Sequence, residues 1–325
     1  MSNMEIYLQT AANIHDQIEE ELHKICIPGA KLIDIVIFIE NRINELTSNA
    51  IKTNNWSEIC NSYGLAFPVG INLNNIAAHY SPVTDNDTQI ITDSDIVTLD
   101  YGIHFDGYIL DAAFTFAYDD KYKLLLECGI KATQTTANMA KAGMSIYTMT
   151  KNILNVIKKS GFTSIGELCG HQIKQYKIHS GFVVPNLDLN TKRKLLVGDV
   201  FTIEPFISTH TGKSKLDLDK QKLSHVMFNY REHNYEKLLS ENKIPLLLEE
   251  YSTLAFNLRH IDIETKHELD NLINQNIYQS YPPILEINPL AYVCQFETTL
   301  YVKSETEVIN FKKHKSVDHY IIKDY

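Results

Sequence analysis

The chain has 325 residues, 44 % of them hydrophobic and 22 % charged, which is enough for one large domain or two smaller ones with a substantial core. Its formal net charge of −10 speaks against nucleic acid as the main partner, and no apolar run reaches the roughly 18 to 20 residues that a membrane span needs. The five cysteines are scattered, with no CxxC, and the N-terminal stretch has no basic segment leading into an apolar one, so reduced thiols and a cytoplasmic location are expected.

Apolar side chains at helical spacing (Ala11, Ile14, Ile18, Leu22, Ile25) predict an opening helix over residues 5–25. Pro28-Gly29 breaks it, and a second helix is expected from about Lys31 to Leu46. Residues 64–110 are short extended runs punctuated by Gly, Pro and Asn. Asp119 to about Lys141 reads as helix, broken at Ala142-Gly143. Ser145 then caps a helix carrying Ile146, Met149, Ile153 and Val156, closed by Lys158, Lys159 and Gly161. Strands return between about 164 and 209. The order helix, break, helix, strands thus occurs twice, as a duplicated half-domain requires. From about 215 to 286 the Asn, Lys and Glu content rises and helical patterns run from Tyr235 to Leu239, Ile244 to Phe256 and His267 to Ile277. Tyr281-Pro282-Pro283 interrupts, and strands resume from Ala291 to Val302. Residues 215–286 therefore read as a helical insertion between two strands of the second half, leaving 1–214 and 287–325 as the main domain.

Two stretches 104 residues apart share one pattern. Asp95-Ile96-Val97-Thr98-Leu99-Asp100 and Asp199-Val200-Phe201-Thr202-Ile203-Glu204 each place a second acid where the apolar run should continue. A lone carboxylate is costly to bury, so two matched cases predict a shared partner, most simply a metal. Asp106-Gly107 between apolar runs predicts a two-residue hairpin turn. Counting outward, Phe105 pairs with Tyr108, Gly102 with Asp111 and Asp100 with Ala113, which puts Asp100 and Asp111 on one face, roughly 7–8 Å apart on the diagonal. The alternative leaves Asp111 in solvent and Asp100 capping the turn. In the second half, Ala291-Tyr292-Val293-Cys294-Gln295-Phe296-Glu297 also carries an acid deep in an apolar strand, so Glu204 corresponds to Asp100 and Glu297 to Asp111, with the insertion in place of the Asp-Gly turn. Among 13 histidines, His79 precedes Asp100 much as His179 precedes Glu204, while His171 stands alone. Four acids and one imidazole suit two adjacent divalent ions better than one tetrahedral zinc.

These residues resemble, in order and type, the metal ligands of the pita-bread metallopeptidases: Asp100, Asp111, His171, Glu204 and Glu297. Gly64-Leu65-Ala66-Phe67-Pro68, Asn74 to Tyr80, Gly170-His171, Ile178-His179-Ser180-Gly181, Ile203-Glu204-Pro205-Phe206, Tyr281-Pro282-Pro283 and Gln295-Phe296-Glu297 are similar to the type 2 methionine aminopeptidases. The resemblance implies an α+β pita-bread fold, with duplicated half-domains whose helices pack on a curved antiparallel sheet. It implies a hydrolase that uses two divalent ions (Co, Mn, Fe or Zn) to remove initiator methionine from nascent polypeptide N-termini, with the ribosome as a further expected partner. Glu204 is then both ligand and proton shuttle, His79 and His179 contact substrate, and Phe67, Ile178, His225 and Tyr281 line the methionine pocket, unless these four are plain core. Cys169 stands where the family more often has Asn or Ser, and Thr298 where His is common. A proline dipeptidase of the same fold and a non-enzymatic pita-bread binding protein are the competing expectations.

Overall fold

The computed structural model describes residues 2–219 and 222–323. Helix α1 (Asn3–Leu22) starts at Ser2, whose side chain accepts from the Glu5 amide, and buries Leu8, Ala11, Ile18 and Leu22. Helix α2 (Leu32–Thr53) runs past the expected end at Leu46. The polar run Thr47-Ser48-Asn49 does not stop it, because Thr47 is buried with its hydroxyl on the Ile43 carbonyl and Ile51 continues the apolar stripe.

Strands β1 (Tyr63–Leu65), β2 (Gly70–Leu73) and β3 (Ile76–Ala78) precede the long hairpin β4 (Ile96–Phe105) and β5 (Tyr108–Ala117). The hairpin register is the expected one: Phe105 faces Tyr108, Gly102 faces Asp111 and Asp100 faces Ala113. Asp106 and Gly107 turn with φ of 51° and 74°, the left-handed pair that a tight hairpin turn requires. Helices α3 (Lys123–Met139) and α4 (Ile146–Lys159) pack together, α4 capped by Ser145 as its sequence predicts.

The second half contributes β6 (Thr163–Ser164), β7 (Cys169–Lys174), β8 (Lys177–Pro185), β9 (Val200–Ile203) and β10 (Phe206–Ser208). Next come β11 (Ser214–Leu216), β12 (His225–Phe228), α5 (Tyr235–Ser240), α6 (Leu246–Glu249), β13 (Phe256–Asn257), α7 (Ile263–Asn274), β14 (Tyr278–Tyr281) and β15 (Ile284–Glu286). The expected helix from Ile244 to Phe256 shrinks to α6, since Pro245 opens it, Ser252 takes φ of 51° and Phe256 joins a sheet. Around the short helices lies a three-stranded antiparallel sheet, β13-β12-β14, with its own apolar core of Val226, Phe228, Leu238, Leu248, Phe256, Leu269 and Tyr278. Finally β16 (Val293–Gln295), β17 (Thr298–Val302) and β18 (Val308–Asn310) complete a five-stranded sheet, β18-β17-β9-β7-β8, and the β16-β10-β6 sheet beside it. Antiparallel sheets packed by paired helices make this the α+β pita-bread fold.

The two halves meet along β5. The Glu297 amide donates to the Ala113 carbonyl at 2.9 Å, the Asp111 amide to Thr299 Oγ1 at 2.9 Å, and the Gln295 amide to Thr115 Oγ1 at 2.9 Å. Threonines inside apolar strands thus supply the donors and acceptors that side-by-side packing of two half-sheets leaves unpaired.

Candidate active site

Every candidate metal, catalytic and pocket residue from the sequence lines one cavity of about 270 Å³ at this junction. That volume lies near the lower end of small-ligand sites, about 300 Å³, and suits one side chain with its adjoining backbone. Asp100 and Asp111 come from the β4–β5 hairpin. Glu204 and Glu297 come from breaks in two facing strands. Ile203 pairs with Thr298 on one side of the break and Phe206 with Gln295 on the other, so Glu204 and Glu297 stand directly opposite. Asp100 and Asp111 are diagonal instead, so the two halves match in residue type but not in register. Pro205 has no amide to donate, which ends β9 at the acid. His171 comes from β7, where its own amide donates to Thr202 Oγ1 at 3.0 Å.

Asp111, His171 and Glu297 offer ligand atoms that all lie within 4.8 Å of one another. The His171 Nε2 atom is 3.2 Å from Glu204 Oε1 and 3.5 Å from Asp111 Oδ2. Asp111, Glu204 and Glu297 are buried, while Asp100 keeps partial exposure with its Oδ1 enclosed and unpaired. Glu297 Oε1 is likewise enclosed without a partner. Its other oxygen accepts from Gln295 Nε2 at 3.1 Å, and Glu204 Oε1 accepts from Thr202 Oγ1 at 2.9 Å. No Lys or Arg forms an ion pair with these four acids among the described residues. Burial lifts Asp100 to about 7. Burial first, and mutual repulsion second, push Asp111, Glu204 and Glu297 well above the ordinary carboxylate range. Such a group is stable only with protons or cations among it, and an oxygen-rich set with one imidazole and unpaired oxygens fits divalent ions.

The opposite wall is made of imidazoles and apolar rings. His179 packs edge-on to His171 with ring centroids 4.4 Å apart. His79 lies 5.6 Å from His225 and 5.9 Å from Tyr281, centroid to centroid. His79 holds φ of 65°, an unusual conformation for a residue with a side chain, maintained by the surrounding strands. Pairing of β12 with β14 sets His225 against Tyr281 and brings both to the cavity. Burial holds His79 and His171 near 4, and His179 and His225 well below the usual imidazole range, so all four are neutral at pH 7. Phe67 lies over β4 at Gly102, where a Cβ would come within 2.2 Å of the Phe67 ring. Ile178 is buried and lines the same cavity.

Sequence reasoning missed several supporting residues. Tyr230, at the end of β12, accepts from the His179 amide and donates to the His179 carbonyl, both at 2.9 Å. Arg231 and Glu167 stand in the lining with Cys169. Thr202 and Gln295 had a readable signal, since each sits two residues from an acid and so on the same strand face. Tyr230 had none, because it reaches His179 across 51 residues.

Residues 7–303 match the model of metallopeptidase family M24. Methionine aminopeptidase 2A of Arabidopsis thaliana is 32 % identical, over 91 % of this chain and 67 % of its own length. A methionine aminopeptidase of Pyrococcus abyssi is 31 % identical, over 92 % of this chain and 96 % of its own. The solved structure of a thermophilic Arx1 superposes with a TM-score of 0.78 over 100 % of this chain and 96 % of that one, at 17 % identity, a likeness of fold alone. With a matched model spanning nearly its full length and relatives at this level of identity, the chain belongs to metallopeptidase family M24 and, within it, to the type 2 methionine aminopeptidases.

Proposed function

We infer that the protein is a metal-dependent aminopeptidase that removes the initiator methionine from polypeptides. The observation that carries this reading is the pairing of a buried acid and imidazole cluster with an apolar wall in one cavity, in a chain about a third identical to methionine aminopeptidases. We propose that Asp100, Asp111, His171, Glu204 and Glu297 hold two divalent ions (Co, Mn, Fe or Zn). Bound ions of this kind lower the pKa of water and polarise a carbonyl.

The chain's own residues do the rest. Glu204 takes the proton from the attacking water and passes it to the leaving amine, the base-then-acid role open to a carboxylate within reach of the reacting atoms. His179, neutral and locked against Tyr230, donates its ring N–H to the developing oxyanion. His79 contacts the backbone of the second substrate residue, and its closeness limits that residue to a small side chain. Phe67, Ile178, His225 and Tyr281 enclose an unbranched thioether. Nascent polypeptide N-termini are the proposed substrates, which makes the ribosome a second proposed partner. None of the five cysteines is disulfide-bonded, which supports a reducing, cytoplasmic setting.

A peptide panel read by mass spectrometry tests this. Met should be released from Met-Gly, Met-Ala, Met-Ser and Met-Thr peptides, little from Met-Lys or Met-Arg, and none after N-acetylation. Discrimination of Met over Leu should be about 10- to 200-fold. Cleavage of Ala-Pro with no release from Met-Ala-Ser would establish a proline dipeptidase instead. His179→Ala should lower kcat by about 100-fold or more with unchanged metal content; loss of metal would make His179 a ligand.

A further inference from the structure

Far along the sequence from the acids of the cavity, the end of α1 meets the 3₁₀ turn Val317–Tyr320. His23 is the C-terminal cap of α1 and His319 lies 296 residues further on, yet their Nε2 atoms are 2.8 Å apart. Glu19, one helical turn before His23, places Oε1 3.2 Å from the same His319 nitrogen. The ligand atoms of Glu19, His23 and His319 all lie within 4.8 Å of one another, and none of the three residues lines the central cavity.

The surrounding charges define what this cluster can accept. Glu19 Oε2 is taken by the buried ammonium of Lys312, which also pairs with Asp16. That ammonium already sits within the adjoining group of His15, Asp16 and Glu19, which therefore has its cation. Glu19 Oε1 faces the histidine pair and, among the described residues, receives the Tyr320 hydroxyl at 3.2 Å besides His319. Lys315 comes within 3.4 Å of His319 Nε2 and opposes a cation there. It also pairs with the exposed Glu20 and is itself a third exposed, so its long stem can turn out to solvent. A single shared N–H could join the two imidazoles, but it leaves the carboxylate and the second lone pair competing for one hydrogen.

We propose that His23, His319 and Glu19 form a second kind of metal site, for one zinc-type divalent ion, that ties the C-terminal segment to the first helix. Two imidazoles and one carboxylate, with the fourth position left to solvent, form a preferred zinc donor set. Zn–N bonds of about 2.0–2.1 Å at a tetrahedral angle hold two nitrogens about 3.3 Å apart, so the rings need to part by only about half an ångström. A cation at the C-terminal end of α1 also meets the negative end of its dipole. The bond would close a loop of nearly the whole chain, where a cross-link restrains the unfolded state most.

The test uses the full-length protein, stripped with a chelator and titrated with Zn²⁺ or Co²⁺. Wild type should retain one more equivalent per chain than His319→Gln or His23→Gln, and Co²⁺ should give a visible absorption band that the variants lack. Saturating Zn²⁺ should raise the melting temperature of wild type by on the order of 5 °C more than that of either variant. Neither variant should alter methionine release by the fully loaded enzyme. In wild type alone, Zn²⁺ should protect His23 and His319 from carbethoxylation, read by mass spectrometry, which decides the matter even if a variant fails to fold. Equal metal content in wild type and variants, or unprotected His23 and His319 in zinc-saturated wild type, overturns the proposal.

Discussion

At the scale of single residues, the site depends on side chains that do not themselves meet the substrate. Tyr230 is the clearest. One hydroxyl holds both the amide and the carbonyl of His179, so the imidazole is aimed by its backbone as well as by contact with His171. Tyr230→Phe keeps the ring and loses two hydrogen bonds, each worth about 1 kcal/mol. The expected result is a fall in kcat of about tenfold or more, with KM and metal content close to wild type. Steady-state kinetics beside metal analysis would check it, and an unchanged kcat would mean that packing alone positions His179. Thr298, where relatives of the resembled type more often have His, bonds to the Lys312 carbonyl at 2.8 Å and faces away from the acids, so its role is to anchor the strand.

At the scale of elements, the carboxylates are held by strand geometry. Asp100 and Asp111 share a face because the Asp106-Gly107 turn sets an alternation that cannot slip without moving every apolar side chain to the wrong side. The same hairpin carries the pocket wall. Gly102 pairs with Asp111 and leaves room for the Phe67 ring, which a Cβ would meet at 2.2 Å. Gly102→Ala should therefore displace Phe67, raise KM for methionyl peptides by about tenfold and cost roughly 1–3 kcal/mol of stability. Kinetics and a urea titration measure the two effects. If KM holds while stability falls, Phe67 is core and not pocket.

At the scale of the whole molecule, four acids converge from both halves, and this couples metal, protons and stability. Without metal, the folded protein keeps protons on these acids well beyond the ordinary carboxylate range, Asp100 up to about 7, because burial and mutual repulsion disfavour their charged forms. The unfolded chain releases them near pH 4. The metal-free fold therefore has its full contribution from these groups below about pH 4 and loses it as pH rises through 7. The buried neutral histidines outside the proposed ligand set, His79 and His104, act in the opposite sense between about 4 and 6.5, with or without metal, so they cancel in a comparison of the two forms. Divalent ions bound as proposed would replace the protons. The gain in melting temperature on adding Mn²⁺ should thus grow steadily from pH 5 to pH 8, as calorimetry of both forms would show. A gain independent of pH would mean that the acids are already ionised without metal.

What could be read from the chain alone was whatever is local. The hairpin register follows from a two-residue turn, the cap of α4 from Ser145 beside an apolar stripe, and the duplicated acid-ended strands from two matching hexapeptides. Local pattern by itself therefore determined the paired helices and the acid-ended strands that carry Asp100, Asp111, Glu204 and Glu297, while the fold family and the pocket residues Phe67, Ile178, His225 and Tyr281 followed from the resemblance of whole motifs. Tertiary structure alone decided how they meet. Glu204 and Glu297 stand opposite each other across 92 intervening residues, β5 joins the halves through threonine hydroxyls, and the region between β11 and β15 builds a small sheet of its own that delivers His225, Tyr230 and Tyr281. Periodicity reports which face of an element is buried, but not which distant face it is buried against, and a carboxylate cluster is a property of several such faces at once.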